Sequence, residues 1–322
     1  MIELADFLQA QRRIRPYIHY TRLIQSDYLS ELTGGEVWLK LENQQPTGSF
    51  KVRGALNKLS QLSEAEKAQG FVAASAGNHA LGVAHAAASL GLGQVDIFVP
   101  ETAPEAKVNK LRRFPVNLHL AGQTYEDAHQ AAADFASQTG ALEISAYDDL
   151  DVITGQGTVG VEILMNLPAC QQIIVPVGGG GLIAGVATAV RHIKPLCHIV
   201  GVQPEASPAA QLSFAQDRAI DPYDHAPTIA DGLAGGFGVR PFEQLRHNPP
   251  DIVLVSEADI RRAILALLAE HQLVIEPSGA AAIAPLLTGQ VDVRGKTAVC
   301  ILTGGNLAMG LLREIVTQLP NH

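Results

Sequence analysis

Ile173-Ile174-Val175-Pro176-Val177-Gly178-Gly179-Gly180-Gly181-Leu182 runs from an apolar strand, through four glycines, into a helix. The run Ile173–Val177 is short, apolar and β-branched, as a buried strand should be. Each glycine costs backbone entropy, so four in a row need a reason beyond turning the chain. An anion close to the backbone supplies one, because free N–H groups and a helix N-terminus become its counter-charge. A phosphate cradle is the favoured reading, and a dinucleotide fold is its rival. Laid from Gly178, the GxGxxG fingerprint fails at Ile183. Laid from Gly179, it runs through Gly181 to Ala184, which the GxGxxA variant permits. That variant wants an acid at the end of the next strand, where Gln203 stands, with Glu205 nearby. The rival therefore stays open. No Walker lysine follows the glycines.

Outward from this stretch the pattern repeats. Strands are expected at Glu36–Leu41, Phe71–Ala74, Val95–Val99, Asn117–Leu120, His198–Val202, Ile252–Val255 and Thr297–Leu302. Helix-period segments follow most of them, for example Ala103–Phe114, Tyr125–Gln138 and Ile260–His271. The alternation predicts an α/β fold with mostly parallel sheet. Such sheets bind ligands beyond the carboxyl ends of their strands, so the strand-to-helix turns are the places to search.

Three more turns stand out. In Gln45–Ala55 (QPTGSFKVRGA), Lys51 falls in the first turn of a helix. A cation is disfavoured there, so its pKa should fall, and a neutral amine attacks aldehydes. In Ala74-Ser75-Ala76-Gly77-Asn78-His79 a small-residue turn presents backbone amides and a neutral amide side chain. A plain helix cap explains it equally well. His79 alone reads as structural, with no second ligand at metal spacing. In Leu302-Thr303-Gly304-Gly305-Asn306 a hydroxyl closes the last strand, and a tight capped turn is again the bland reading.

Composition narrows the class. The 322 residues are 47% hydrophobic with a net charge of -9, which suits a large core and disfavours nucleic-acid or anionic-membrane partners. No apolar run reaches the roughly 20 residues of a membrane span. The N-terminus, MIELADFLQAQRRIRPY, reads as an amphipathic helix and not a leader. Cys170, Cys197 and Cys300 lie in or beside apolar runs with no CxxC, as buried free thiols in a reducing cytoplasm would.

Seven motifs in order, ENQQPTGSFKVRGA, ASAGNHALGVAHAA, DVITGQGTVGVEIL, VPVGGGGLIAGVATAV, TIADGLAGG, IEPSGAAA and LTGGN, span nearly the whole chain. The sequence resembles the fold-type II pyridoxal-phosphate enzymes, in the threonine dehydratase and serine racemase branch. That resemblance implies two open, twisted, mostly parallel sheets flanked by helices. It implies a large cofactor-binding domain, residues 1–69 and 149–322, and a small inserted domain, residues 70–148. It assigns Lys51 to the cofactor Schiff base, with Phe50 beside the ring and Asn78 at the 3-hydroxyl. Gly178, Gly179, Gly180, Gly181 and Leu182 would hold the phosphate, and Thr303 the pyridine nitrogen. Ser75, Ala76, Gly77, Asn78 and His79 would clasp the substrate carboxylate. Glu276, in IEPSGA, matches the family near the site, although helix capping explains it nearly as well.

The implied reaction is β-elimination from threonine, serine or both, giving a 2-oxo acid and ammonia. A hydroxyl at Thr303 leaves the pyridine nitrogen unprotonated, which favours elimination over transamination. The racemase pattern is SSGNH, with a second serine to move a proton. Here Ala76 occupies that position and SAGNH matches the dehydratases. The racemase cation site also departs, with Gln203 and Ala209 at its acidic positions, so no metal is expected. Leu81 stands where dehydratases commonly carry Gln, and Asp231–Leu245 matches no substrate pattern, so another β-hydroxy amino acid stays open. The other readings are racemase-type activity, β-replacement, and a non-catalytic cofactor- or nucleotide-binding protein. The chain ends at His322, so no regulatory domain is expected. The family suggests a homodimer or higher homo-oligomer, and Arg53 has no sequence-level explanation.

Overall fold

The computed structural model describes residues 2–103 and 105–317. Among them are strands β1 (Leu23–Gln25), β2 (Glu36–Lys40), β3 (Phe71–Ala74), β4 (Val95–Val99) and β5 (Asn117–Leu120). They continue with β6 (Leu142–Glu143), β7 (Gln172–Pro176), β8 (His198–Pro204), β9 (Asp251–Val255) and β10 (Thr297–Ile301). Two sheets result. One has six strands in the order β1-β2-β10-β7-β8-β9, parallel except for β1. The other has four parallel strands in the order β5-β4-β3-β6.

Side-chain alternation makes both sheets the middle of a sandwich. Along β7, Ile173 and Val175 enter one apolar core while Ile174 enters the other. Along β10, Val299 and Ile301 share the first core, and Ala298 and Cys300 the second. A strand buried on both faces shows no polar alternation, which is why these runs read as continuously apolar. In the four-stranded sheet, Phe71 and Ala73 face one core, and Val72 and Ala74 the other.

The expected strands are all present, and β7 begins and ends one residue early. Two strands escape the sequence reading. β1 has three residues and β6 has two, too few to show a period. The helix expected at Ala103–Phe114 is shorter, Glu105–Leu111, and Pro104 lies outside the described residues. Cys170, Cys197 and Cys300 are buried and free, as expected.

The helix Leu150–Asn166 packs closely on Gly181–Ile193, and glycines permit it. A methyl group on Gly185 would run into the Ile153 carbonyl and the Gly157 backbone. Backbone atoms cannot swing aside, so Gly185→Ala should destabilise the protein by roughly 1–3 kcal/mol through overpacking. Urea unfolding of this variant measures it; an unchanged midpoint would contradict the close crossing.

Candidate active site

The site is built where strand ends meet helix starts. Lys51 is the first residue of the helix Lys51–Leu59, as the sequence predicts. Its Nζ donates to the Ala146 carbonyl at 2.9 Å and lies 5.4 Å from the centre of the Phe50 ring. Burial lowers its pKa from the ordinary lysine range to about 8. The direction is the expected one. Burial, which disfavours the ammonium, is the cause the structure supplies.

Arg53, two residues on, finds its explanation here. It is fully buried between two buried carboxylates. Its Nε and Nη2 donate to Glu42 at 2.8 Å, and Nη1 and Nη2 donate to Glu162 at 2.8 Å. Lys40 Nζ reaches Glu162 at 2.6 Å and the Thr21 carbonyl at 2.9 Å. Thr21 and Gln45 donate to the remaining lone pairs of Glu42. Burial alone would raise the Glu42 pKa, but Arg53 and these donors bring it down to about 2. Two cations and two anions cancel, so the cluster is tolerable in the interior.

Asn78 opens the helix Asn78–Ser89, whose first amides have no acceptor within the helix. Its Nδ2 donates to Glu276 Oε1 at 2.6 Å, and its Oδ1 accepts from Asn306 Nδ2 at 2.7 Å. One N–H and one lone pair stay available. Burial, then the charge of Asp231, raises the Glu276 pKa to about 7. Gly304 passes so close to Glu276 that a side chain there would strike Oε1. Thr303 is buried beside it, and its carbonyl accepts from the Phe50 amide at 3.1 Å. Ser49 bridges to Gly304. These contacts bring the lysine turn, the Asn78 turn and the β10 turn together.

The glycine loop joins through Tyr147, the residue after the Lys51 acceptor. Side chains at Gly179 and Gly181 would collide with Tyr147, and one at Gly180, where φ is +93°, with Phe237. Packing is thus a second reason for the glycines. Tyr147 is itself held by Asp221, which accepts from its hydroxyl at 2.9 Å. Among the described residues, no amide from Gly178 to Ile183 donates to a backbone carbonyl. These amides head the helix Gly181–Ile193, a ready anion site.

His79 takes no side-chain part in the turn. Its ring is buried, and Nε2 lies 2.7 Å from the Ile144 carbonyl. Burial, then the nearby Lys51, pushes its pKa down to about 3. It stays neutral and anchors the helix start. Ser75, Ala76 and Gly77 are half-buried in the same turn, with Ser75 Oγ accepting from Gly77 N at 3.1 Å. Gln203 Oε1 accepts from the amides of Ala210 and Gln211 and so caps the helix Ala209–Ala215. Among the described residues, no group of three or more His, Cys, Asp or Glu could hold a metal. The sequence reading missed Tyr147, Glu42, Glu162 and the part of Asn306. None sits at a recognisable spacing from the residue it touches.

The enclosed amine and the unpaired glycine amides fit one cofactor type, an aldehyde carrying a phosphate. A family model described as pyridoxal-phosphate dependent enzyme matches residues 14–304, and the chain belongs to that family. The L-threonine ammonia-lyase of Thermotoga maritima is 42% identical over 319 residues, 99% of this chain and 79% of the relative. The L-threonine dehydratase catabolic TdcB of Escherichia coli (strain K12) is 39% identical over 317 residues, 98% of this chain and 96% of that one. The structure of maize serine racemase superposes with a TM-score of 0.91 at 31% identity, covering 98% of this chain and 97% of that one.

Two outcomes test this geometry. Arg53→Ala leaves Glu42 and Glu162 buried with only Lys40, and should cost about 3–5 kcal/mol in urea unfolding. Lys51 carries a burial cost as an ammonium. Because its folded pKa lies below the unfolded one, that cost is full below pH 8 and gone above about 10.5. Cofactor-free Lys51→Met should therefore be more stable at pH 7, by about 1–3 kcal/mol, with the gain fading as pH rises. Thermal melts across pH 7–10.5 measure it, and a constant difference would refute the burial cost.

Proposed function

We propose that this chain is a pyridoxal-phosphate dependent ammonia-lyase that removes water from L-threonine, L-serine or both. The products are 2-oxobutanoate or pyruvate, with ammonia. The observation that carries this reading is the Lys51 amine, with a pKa near 8, linked through Ala146 and Tyr147 to an unpaired amide cradle. Residues 70–148 form the inserted unit, supported by the four-stranded sheet, whose strands all fall between Phe71 and Glu143. Three buried free thiols fit a cytoplasmic setting, and assembly as a homodimer or higher is part of the reading.

Gly178 to Leu182 would hold the phosphate by backbone N–H groups, with Phe50 beside the ring and Asn78 at the 3-hydroxyl. When bound, the cofactor supplies an electron-accepting ring joined to the substrate nitrogen. The Thr303 hydroxyl would hydrogen-bond the pyridine nitrogen, and a hydroxyl could not keep a proton there as a carboxylate would. The Ser75–His79 turn receives the substrate carboxylate on the amides that open the helix Asn78–Ser89. Lys51 Nζ, as a free amine, would take the α-proton from one face. Ala76 leaves the other face without a base.

Racemisation of serine is the second reading, favoured by the 0.91 TM-score to a serine racemase structure. Ala76 weighs against it. The test is a panel of L- and D-β-hydroxy amino acids assayed for 2-oxo acid. Activity on L-threonine or L-serine is expected, with less than about 200-fold between them, because they differ by one methyl. Activity on neither defeats the proposal. Chiral analysis of residual serine should show little inversion, rising at least tenfold in Ala76→Ser. Fast inversion by the unaltered protein would favour the racemase.

A further inference from the structure

The helix Glu105–Leu111 carries two lysines three residues apart, which share one face. The helix belongs to the four-stranded layer, where Val108 and Leu111 bury in its core. Both lysines reach the other way, into loops of the six-stranded layer. Lys107 Nζ donates to Asp231 Oδ2 at 2.6 Å, and Lys110 Nζ donates to Asn306 Oδ1 at 2.8 Å. The two contacts differ in kind. Lys107 and Asp231 form an ion pair with a largely exposed carboxylate, and such pairs contribute little. Lys110 is half-buried, and its partner is a neutral amide.

That amide is the middle of a chain. Asn306 Nδ2 donates to the Thr47 carbonyl at 2.9 Å and to Asn78 Oδ1 at 2.7 Å. Asn78 Nδ2 donates onward to Glu276 at 2.6 Å. An ammonium can only donate and the Thr47 carbonyl can only accept, so these two set the sense of the Asn306 amide, which in turn presents a donor to Asn78 Oδ1 and leaves Asn78 Nδ2 for Glu276. Turning Asn306 over would set its NH2 against the ammonium and its oxygen against two acceptors. Gly48, where φ is +75°, leaves room for the amide, since a side chain there would press on Asn306.

We infer that Lys110 is a positioning residue. Through Asn306 it sets the orientation of the Asn78 amide and tethers the helix Glu105–Leu111 to the β10 turn. The inference rests on the placement of Asn78 in the proposed site. The tether thus joins the four-stranded layer to the β10 turn and to the arrangement of the hydrogen-bond donors at Asn78.

Three variants of the holoenzyme test it, each read by hydrogen exchange and by steady-state kinetics. Lys110→Met should lose at least tenfold exchange protection across residues 105–111 and in the Ser75–Asn78 turn. Its KM should rise about tenfold with kcat changed less than threefold, at an unaltered melting temperature. Lys110→Arg should restore both. Asn306→Asp keeps, and strengthens, the link to Lys110 but removes both donors. It should therefore impair KM at least as much as Lys110→Met. A wild-type KM in Asn306→Asp would overturn the relay. Lys110→Met with unchanged exchange and KM, or with a lowered melting temperature alone, would overturn the positioning role. If the unaltered protein eliminates water from no amino acid, the lyase reading fails, and the exchange arm still decides whether Lys110 orders the Asn78 turn.

Discussion

Arg53, fully buried and bonded directly to Glu42 and Glu162, is the constraint on which the site depends. Its partners come from distant parts of the chain. Glu42 follows β2, Glu162 lies in the helix Leu150–Asn166, and Lys40 closes the group from β2 itself. Every charge in it would be costly alone, and together they are satisfied. The cluster lies two residues past Lys51, so the start of that helix has little freedom to shift. The Ala146 carbonyl, accepting from Nζ, then has only the amine end of the side chain to fix.

Electrostatics around Lys51 follow from neutrality. The ion cluster sums to zero, and His79 is neutral and bound to a carbonyl. Lys51 therefore sits in a site without a compensating anion, and burial lowers its pKa unopposed. Glu276 is shifted the other way by the same physics, toward about 7. Anionic groups of ligands are left to amide cradles at two helix starts, Gly181 and Asn78. Those cradles sit at the carboxyl ends of β7 and β3, where parallel sheets leave a crevice.

Much of this was legible in the sequence. The long strands, the helix opening at Lys51 and the four turns all carry local signals: apolar runs, small residues and caps. The glycine run pointed to a cradle, and the structure adds that Tyr147 and Phe237 fill the space side chains would need. β1 and β6 stayed hidden because two or three residues have no period. Arg53 stayed unexplained because its partners lie 11 and 109 residues away.

What the sequence determined by itself was local: strand and helix type, through periodicity, and the residue kinds at each strand end, through backbone freedom and capping. Residue type set what each group could do. Tertiary structure alone decided how strongly it does it. Burial lowered Lys51, and burial beside Lys51 kept the His79 ring neutral while a carbonyl 65 residues away holds it in place. Lys110 joined the Asn78 turn only when 196 residues of chain folded Asn306 onto it. Such contacts depend on distance in space, and a hydrogen bond leaves no mark on the spacing of the residues that make it.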